Sequence, residues 1–146
     1  MALIEWSAIV PGRRPRRSAD LGRAGERVAA RALRRGGYRV LARNLRLPMG
    51  ELDLVALAPD RATIVFVEVK TRAVTAGRLA PPPEANVTSA KRRRLARLAM
   101  TVARRRDWLD RPLRIDVVAI DWPEHGRPVI RHYENAITNA QRPRRG

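Results

Sequence analysis

Apolar residues recur at helical spacing in two segments of the chain, and each segment predicts an amphipathic helix. In the first, between Ala19 and Arg35, the apolar positions are Leu21, Ala24, Val28, Ala32 and Leu33. Gly36-Gly37 then supplies a stop. In the second, the apolar stripe consists of Leu95, Leu98, Ala99, Val102 and Leu109. Thr88 or Ser89 can cap this helix, and its other faces are dense in arginine.

Aliphatic and β-branched runs predict strands before and after the second helix. Three of them lie between the helices, at Tyr38 to Arg46, Glu51 to Ala58 and Thr63 to Arg72, and we expect the last two to form a hairpin. Two closing strands follow, at Arg114 to Trp122 and Val129 to Tyr133. The order α-β-β-β-α-β-β, with no internal repeat, predicts an α/β fold with a mixed β-sheet of about five strands flanked by helices.

The two ends of the chain differ from this pattern. Pro11 to Arg17 holds two prolines and four arginines, so residues 1–18 are predicted to form a flexible basic arm. Residues 141–146 are predicted to form a basic tail. Residues 19–140 then form a single domain, and a chain of 146 residues is long enough to fold around one core.

The charge of the chain narrows the class of partner. Lysine and arginine total 31 against 14 acidic residues, which gives a formal net charge of +17. This excess is more than solubility requires and predicts a polyanionic partner, with nucleic acid the leading candidate. Anionic lipid is the weaker alternative, because no basic amphipathic segment with large apolar residues stands out.

The composition also bears on location and on metal chemistry. No apolar run approaches the roughly 20 residues of a membrane span, and Glu5 stands where a signal peptide carries basic charge, so we expect a cytoplasmic protein without a membrane partner. The chain has no cysteine and only two histidines, which lie apart in sequence at His125 and His132. A metal site would therefore have to rely on carboxylates.

Candidate chemistry lies on the predicted hairpin. Along a strand side chains alternate, so Glu68 and Lys70 point to the same face. If Ala58 pairs with Thr63, Asp53 falls opposite Glu68, with Cβ atoms about 4.5–5.5 Å apart. Two carboxylates at that separation repel each other unless a positive group lies between them.

A divalent cation would meet this need. Mg²⁺ or Mn²⁺ prefers oxygen ligands, and Asp53, Glu68 and the Val69 carbonyl are the predicted set. Lys70 would then lie near the scissile phosphate or a metal-bound water. The alternative is a partly buried salt-bridge cluster in which these charges serve only the fold.

Lysine usage adds a further signal. Only two of the 31 basic residues are lysine, and one of them is Lys70. The other, Lys91, lies in the first turn of the second helix, where the helix dipole disfavours a cation. Two interpretations stay open for Lys91: its aliphatic stem covers the edge of the core, or its ammonium contacts phosphate.

Taken in order, the motifs of this chain resemble those of the YraN family, over about Gly22 to Ile137. They are G-E-R-V-A (25–29), G-Y-R-V-L-A-R-N-L-R (37–46), G-E-L-D-L-V-A (50–56), F-V-E-V-K-T-R (66–72), R-I-D-V-V-A-I (114–120) and H-Y-E-N-A-I (132–137). That bacterial family is thought to be related to archaeal Holliday-junction resolvases within the PD-(D/E)xK nuclease superfamily. An ordered series of motifs is far more specific than any one of them.

The resemblance implies roles for particular residues. Glu26 matches the acid of the first helix that completes the metal site, Asp53 the central acid, and Glu68 with Lys70 the E-x-K pair. Lys91 matches a lysine near the start of the later helix. The chain departs from the superfamily pattern at Leu52, which stands where many members have the proline before the central acid.

These observations lead to two functional hypotheses. The first is a metal-dependent endonuclease that acts on DNA, with branched or junction DNA among the candidate substrates, and with Lys91, Arg72, Arg92 and Arg93 as nucleic-acid contacts. The second is a non-catalytic DNA- or RNA-binding module on the same fold. Resemblance to resolvases also suggests a homodimer.

Overall fold

The computed structural model describes residues 2–6, for which it gives the backbone, together with 13–75 and 88–136. The described elements, in chain order, are β1 (Ala2–Trp6), α1 (Ser18–Arg35), β2 (Arg39–Leu47), β3 (Gly50–Leu57), β4 (Ile64–Val74), α2 (Ser89–Arg105), β5 (Leu113–Pro123) and β6 (Val129–Glu134). The strands form one six-stranded sheet in the order β1-β6-β5-β4-β3-β2. Strands β4 and β5 are parallel and the other neighbours are antiparallel. The predicted α/β fold with a mixed sheet is therefore confirmed, with one more strand than expected.

The added strand corrects the prediction of a flexible arm over residues 1–18. Strand β1 pairs with β6, from Ala2 opposite Glu134 to Trp6 opposite Ile130. Further along, Arg14 Nη1 donates hydrogen bonds to the carbonyl oxygens of Val74 (3.3 Å) and Trp122 (3.0 Å). The prediction gave weight to the arginines and prolines of this region and overlooked the short apolar run Ala2–Trp6, which pairs with a strand near the other end of the chain. The predicted tail over 141–146 lies outside the described residues.

The two helices cover opposite faces of the sheet. Val65 and Val67 of β4 belong to the core cluster under α1, whereas Ile64 and Phe66 belong to the cluster under α2. This division follows from the alternation of side chains along a strand. Glu68, two residues beyond Phe66, therefore lies on the face that carries α2.

Close packing fixes α1 against β4. Gly25 is buried, and a Cβ added there would overlap the Thr71 side chain. Only glycine lets the helix approach this near, and the approach brings the following residue, Glu26, beside the strands that carry Asp53 and Glu68.

Helix α2 begins as predicted but ends earlier. Thr88 is its N-cap, and its hydroxyl oxygen accepts a hydrogen bond from Lys91 N at 3.2 Å. The helix ends at Arg105, and Asp107 then takes a left-handed conformation with φ 59°. Leu109 consequently lies outside the helix and is 45% exposed, so its assignment to the apolar stripe was wrong. Neither helix of the described ranges is long and apolar enough to cross a membrane.

The β3–β4 hairpin has the predicted register. Ala58 N donates to Thr63 O at 2.9 Å, and the paired residues run from Leu57 opposite Ile64 to Leu54 opposite Val67. The turn is held by Asp60, whose carboxylate accepts hydrogen bonds from the Thr63 hydroxyl and from the backbone N–H groups of Thr63 and Ala62. These bonds lower the pKa of Asp60 to about 2.

Candidate metal and phosphate site

Asp53 lies where the backbone pairing of β3 with β4 gives way to a side-chain contact. The pairing runs as far as Leu54 opposite Val67. One step further, Val69 N donates to Asp53 Oδ2 at 2.8 Å. The carboxylate thus takes the place of a backbone acceptor, and its position is fixed by the neighbouring strand. Because the N–H and C=O of one strand residue point to the same side, the Val69 carbonyl also faces β3.

The electrostatics of Asp53 show that two carboxyl groups are held together. Burial raises its pKa, and the negative charge of Glu68 raises it further, while the hydrogen bond from Val69 N–H acts in the opposite direction. The net effect places the pKa of Asp53 at about 7. At neutral pH the pair therefore needs a proton or a cation that satisfies both carboxyl groups.

Both lysines of the chain meet at Glu68. Lys91 Nζ lies 3.5 Å from Glu68 Oε1, and the side chains are 23% and 14% exposed, respectively. The pKa of Lys70 is lowered chiefly by the close approach of the Lys91 ammonium, because two neighbouring cations repel each other, and then by burial, while Glu68 and Asp53 oppose the shift. The structure thus places Lys70 and Lys91 side by side next to the two acids.

Glu26 lies at the margin of the same cluster. With its amide nitrogen turned toward the carboxylates, Asn44 donates to Glu26 Oε2 at 2.7 Å and to Glu51 Oε1 at 3.2 Å. Burial raises the pKa of Glu26, the Asn44 hydrogen bond lowers it, and the charge of Glu51 raises it, with a net upward shift. The charge of Glu26 also contributes to the raised pKa of Asp53.

The three predicted acids do not form a closed ligand set in this structure. Within the described ranges 13–75 and 88–136, no group of three or more His, Asp and Glu side chains lies close enough to hold one metal ion. Asp53 and Glu68 interact directly, whereas Glu26 is tied to Asn44. Coordination by Glu26 stays a prediction.

Asn44 and Glu51 were not predicted as part of the site. Asn44 lies within strand β2 but has a φ of 49°, a conformation that asparagine tolerates better than most residues. An asparagine inside a predicted strand was the signal available in the sequence. Asn44 belongs to the site because it contacts Glu26 of α1, and the sequence of β2 alone does not predict that contact.

The predicted nucleic-acid contacts divide into two kinds. Arg72 Nε lies 3.3 Å from Asp121 Oδ1, and Arg131 Nη1 lies 2.7 Å from the other oxygen of this buried carboxylate. Arg72 therefore has a structural partner in β5. Arg92 is half-buried and Arg93 is exposed in the first part of α2. Of the three, Arg93 is the most available for an anionic ligand.

A second polar cluster, absent from the sequence predictions, lies in the interior. Asp116 and His132 are fully buried, and His132 Nε2 lies 2.7 Å from Asp116 Oδ2. Arg114 donates two hydrogen bonds of 2.9 Å to Asp116, and its Nη2 also donates to the Tyr38 hydroxyl at 2.7 Å. The Tyr38 hydroxyl in turn donates to Glu134 at 3.0 Å. Because it is buried, this network ties the segment after α1 to β5 and β6 rather than forming an open site.

A mixed sheet between two helices, with an aspartate and an E-x-K pair on one hairpin, defines a restriction-endonuclease-like α/β core. The chain belongs to the Uncharacterised protein family UPF0102, the YraN family, whose model matches residues 25–120. It is similar to a UPF0102 protein of Symbiobacterium thermophilum, at 45% identity over 120 residues, which cover 82% of this chain and 98% of the relative. It is also similar to a UPF0102 protein of Pelobacter propionicus, at 44% identity over 118 residues, covering 81% and 82%. The family predicted from the motifs is thus confirmed.

Proposed function

We propose that this protein is a Mg²⁺- or Mn²⁺-dependent phosphodiesterase that cleaves nucleic acid, DNA in preference to RNA. One observation carries the proposal: Asp53, Glu68 and both lysines of the chain converge at one place on the β3–β4 hairpin. A polyanion-binding surface gains nothing from two acids forced together, whereas a hydrolytic site needs them for a cation.

The donor groups at this site fit a hard divalent ion. The Asp53 and Glu68 carboxylates and the Val69 carbonyl supply oxygen only, which suits Mg²⁺ and Mn²⁺ and not a soft metal. The raised pKa of Asp53 reflects burial and the charge of Glu68, so a cation bound there would replace the proton that the pair otherwise holds. When bound, such an ion supplies charge stabilisation at a phosphoryl oxygen and lowers the pKa of water.

The protein's own residues then have distinct roles. Asp53 and Glu68 would hold the ion, and Val69 N–H keeps the Asp53 carboxylate in place. Lys70 would stabilise the negative charge that develops on the phosphate, since a compact ammonium next to two acids can reach a group bound there. Glu26 would complete the ligand set from α1, where its negative charge already acts on Asp53 and would be offset by the cation.

The exposed surface of the described helices and of strand β2 suits a polyanion. Exposed arginines occur on both helices and on the edge strand β2, and they are Arg23, Arg27, Arg31, Arg34, Arg35, Arg39, Arg43, Arg46, Arg93, Arg94, Arg97, Arg104 and Arg105. Such a surface attracts phosphate without regard to sequence. Branched or junction DNA would suit a homodimer, a state that sedimentation measurements on the purified protein would test.

The second candidate function, a non-catalytic DNA- or RNA-binding module, is favoured by a different observation. Lys91 forms an ion pair with Glu68, and Glu26 stands apart from the other two acids within the described residues. In this alternative the lysines and carboxylates neutralise one another and stabilise the fold, and the arginines alone provide the function.

A cleavage assay separates the two functions. Duplex, forked, junction and single-stranded DNA and RNA are incubated with the protein in Mg²⁺, in Mn²⁺ and in a chelator. We expect metal-dependent cleavage of at least one substrate, abolished in Asp53→Asn and retained in Asp110→Asn, a control that removes the same charge from an exposed loop. Absence of cleavage with every substrate and both metals, alongside retained nucleic-acid binding, would establish the binding module instead.

A further inference from the structure

The two lysines of the chain share one site although the chain has 31 basic residues. One is Lys70 of the E-x-K pair and the other is Lys91 of α2, whose Nζ lies 3.5 Å from Glu68 Oε1. Every other basic residue is arginine, including those paired with the buried carboxylates of Asp116 and Asp121. The buried carboxylates of Asp116 and Asp121 are thus paired with arginine, whereas both lysines lie beside Glu68.

The local helix does not account for Lys91. It lies in the first turn of α2, which contains no acidic residue, and the positive end of the helix dipole disfavours a cation there. Its backbone N–H is already bonded to the Thr88 cap. The contact that explains its side chain is therefore the one across to β4, with Glu68.

We propose that Lys91 is the counter-cation of Glu68 in the metal-free protein, and that it leaves this carboxylate when a divalent ion binds. The inference rests on the proposed function, because it assumes that Glu68 is a metal ligand. An ammonium suits a temporary partner because it is a compact charge on a flexible stem, whereas a guanidinium would bind a carboxylate in a fixed bidentate geometry. Lys91 is thus a positioning residue that keeps Glu68 in place and faces the phosphate once displaced.

The proposal predicts competition between the ammonium and the metal. Binding of the ion must break the Lys91–Glu68 pair, so a variant without the ammonium should bind metal more tightly. We expect Lys91→Met to lower the Kd for Mn²⁺ on the order of tenfold, which corresponds to about 1.4 kcal/mol for one partly buried ion pair. Without metal the same variant leaves Glu68 beside Asp53 with less positive charge, so Mn²⁺ should raise its Tm more than that of the wild type.

Calorimetric titration with Mn²⁺ alone tests this competition without any substrate. Lys91→Arg keeps a cation near Glu68 that is harder to displace, so it should bind Mn²⁺ no more tightly than the wild type. Arg97→Met removes the same charge from an exposed position of α2 and should also bind as the wild type does. Asp53→Asn should abolish binding, which locates the ion. Equal or weaker binding in Lys91→Met, or equally tighter binding in Arg97→Met or Lys91→Arg, would overturn the proposal.

A crystal of the wild-type protein grown with Mn²⁺ gives a result that does not depend on any variant folding. The Lys91 Nζ to Glu68 Oε1 distance, 3.5 Å in this structure, should exceed about 4 Å, the limit of an ion pair, when the ion is bound. An unbroken ion pair beside a bound ion would refute the displacement. If the wild type and all variants bind no Mn²⁺, both the proposed metal-dependent function and the displacement of Lys91 are refuted. If the protein binds Mn²⁺ but cleaves no substrate, only the proposed function fails, and the measured competition between Lys91 and the ion still holds.

Discussion

Replacing Asp53 by asparagine should stabilise the metal-free protein at alkaline pH. The amide has nearly the shape of the carboxyl group, and its oxygen can still accept the hydrogen bond from Val69 N–H. What the substitution removes is a negative charge that burial and Glu68 make unfavourable. A residue that serves only the fold would behave in the opposite way.

The pKa of Asp53 sets the pH range and the size of the effect. It rises from 3.8 to about 7 on folding, so the folded state favours the protonated form. The stability that this group contributes is complete below pH 3.8 and is lost as pH rises through 7. The full shift would correspond to about 4 kcal/mol, and partial solvent exposure with coupling to Glu68 reduces this to on the order of 2 kcal/mol.

Urea unfolding of the wild type and Asp53→Asn at pH 5 and pH 8, in a chelator, measures the effect. We expect the variant to gain stability relative to the wild type between the two pH values, with Asp110→Asn as an exposed control that shows no such trend. Added Mn²⁺ should then reverse the order at pH 8, because only the wild type has both carboxylates. A variant that is less stable than the wild type at pH 8 without metal would refute the reasoning and identify Asp53 as a structural ion-pair partner.

Three further predictions concern turnover, packing and binding. Lys70→Ala should lower kcat on the order of 10²-fold while changing DNA affinity little, as measured by single-turnover cleavage and by titration; equal losses in both would contradict its role in the reaction. Gly25→Ala should destabilise the protein by about 1–3 kcal/mol in urea unfolding because its Cβ overlaps Thr71, whereas Gly22→Ala, with no atom within 4 Å, should not. Affinity for non-specific duplex DNA should fall on the order of 10³-fold between about 50 and 200 mM salt, and Arg93→Ala should reduce the salt slope by about 1; a flat salt response would reject the polyanion partner.

The sequence was most informative where the geometry is local. The alternation of side chains placed Glu68 and Lys70 on one face, and the hairpin closed at Ala58 and Thr63 as predicted. From that register the approach of Asp53 to β4 follows without knowledge of the rest of the fold. Capping of α2 at Thr88 was likewise a property of adjacent residues.

Contacts between distant parts of the chain could not be predicted in this way. Strand β1 pairs with β6, near the other end of the chain, and nothing in its five residues specifies that partner. The bond from Asn44 to Glu26 joins β2 to α1, and the ion pair of Lys91 with Glu68 joins α2 to β4. Each depends on the position of a helix or strand against the sheet, which tertiary packing determines.

The partners of the buried carboxyl groups distinguish the candidate site from the structural ion pairs. Asp116 is fully buried, yet hydrogen bonds from His132, Arg114 and Asn135 N–H overcome the effect of burial and lower its pKa. Asp121 is held between two guanidinium groups. With a net charge of +17, the chain has enough arginine to pair Asp53 with a guanidinium as well. Instead, this carboxyl group lies beside another acid, Glu68, and its pKa is raised. Perturbed carboxyl groups of this kind cluster at functional sites, so the raised pKa of Asp53 supports the proposal that this site exchanges a proton or an ammonium for a metal ion.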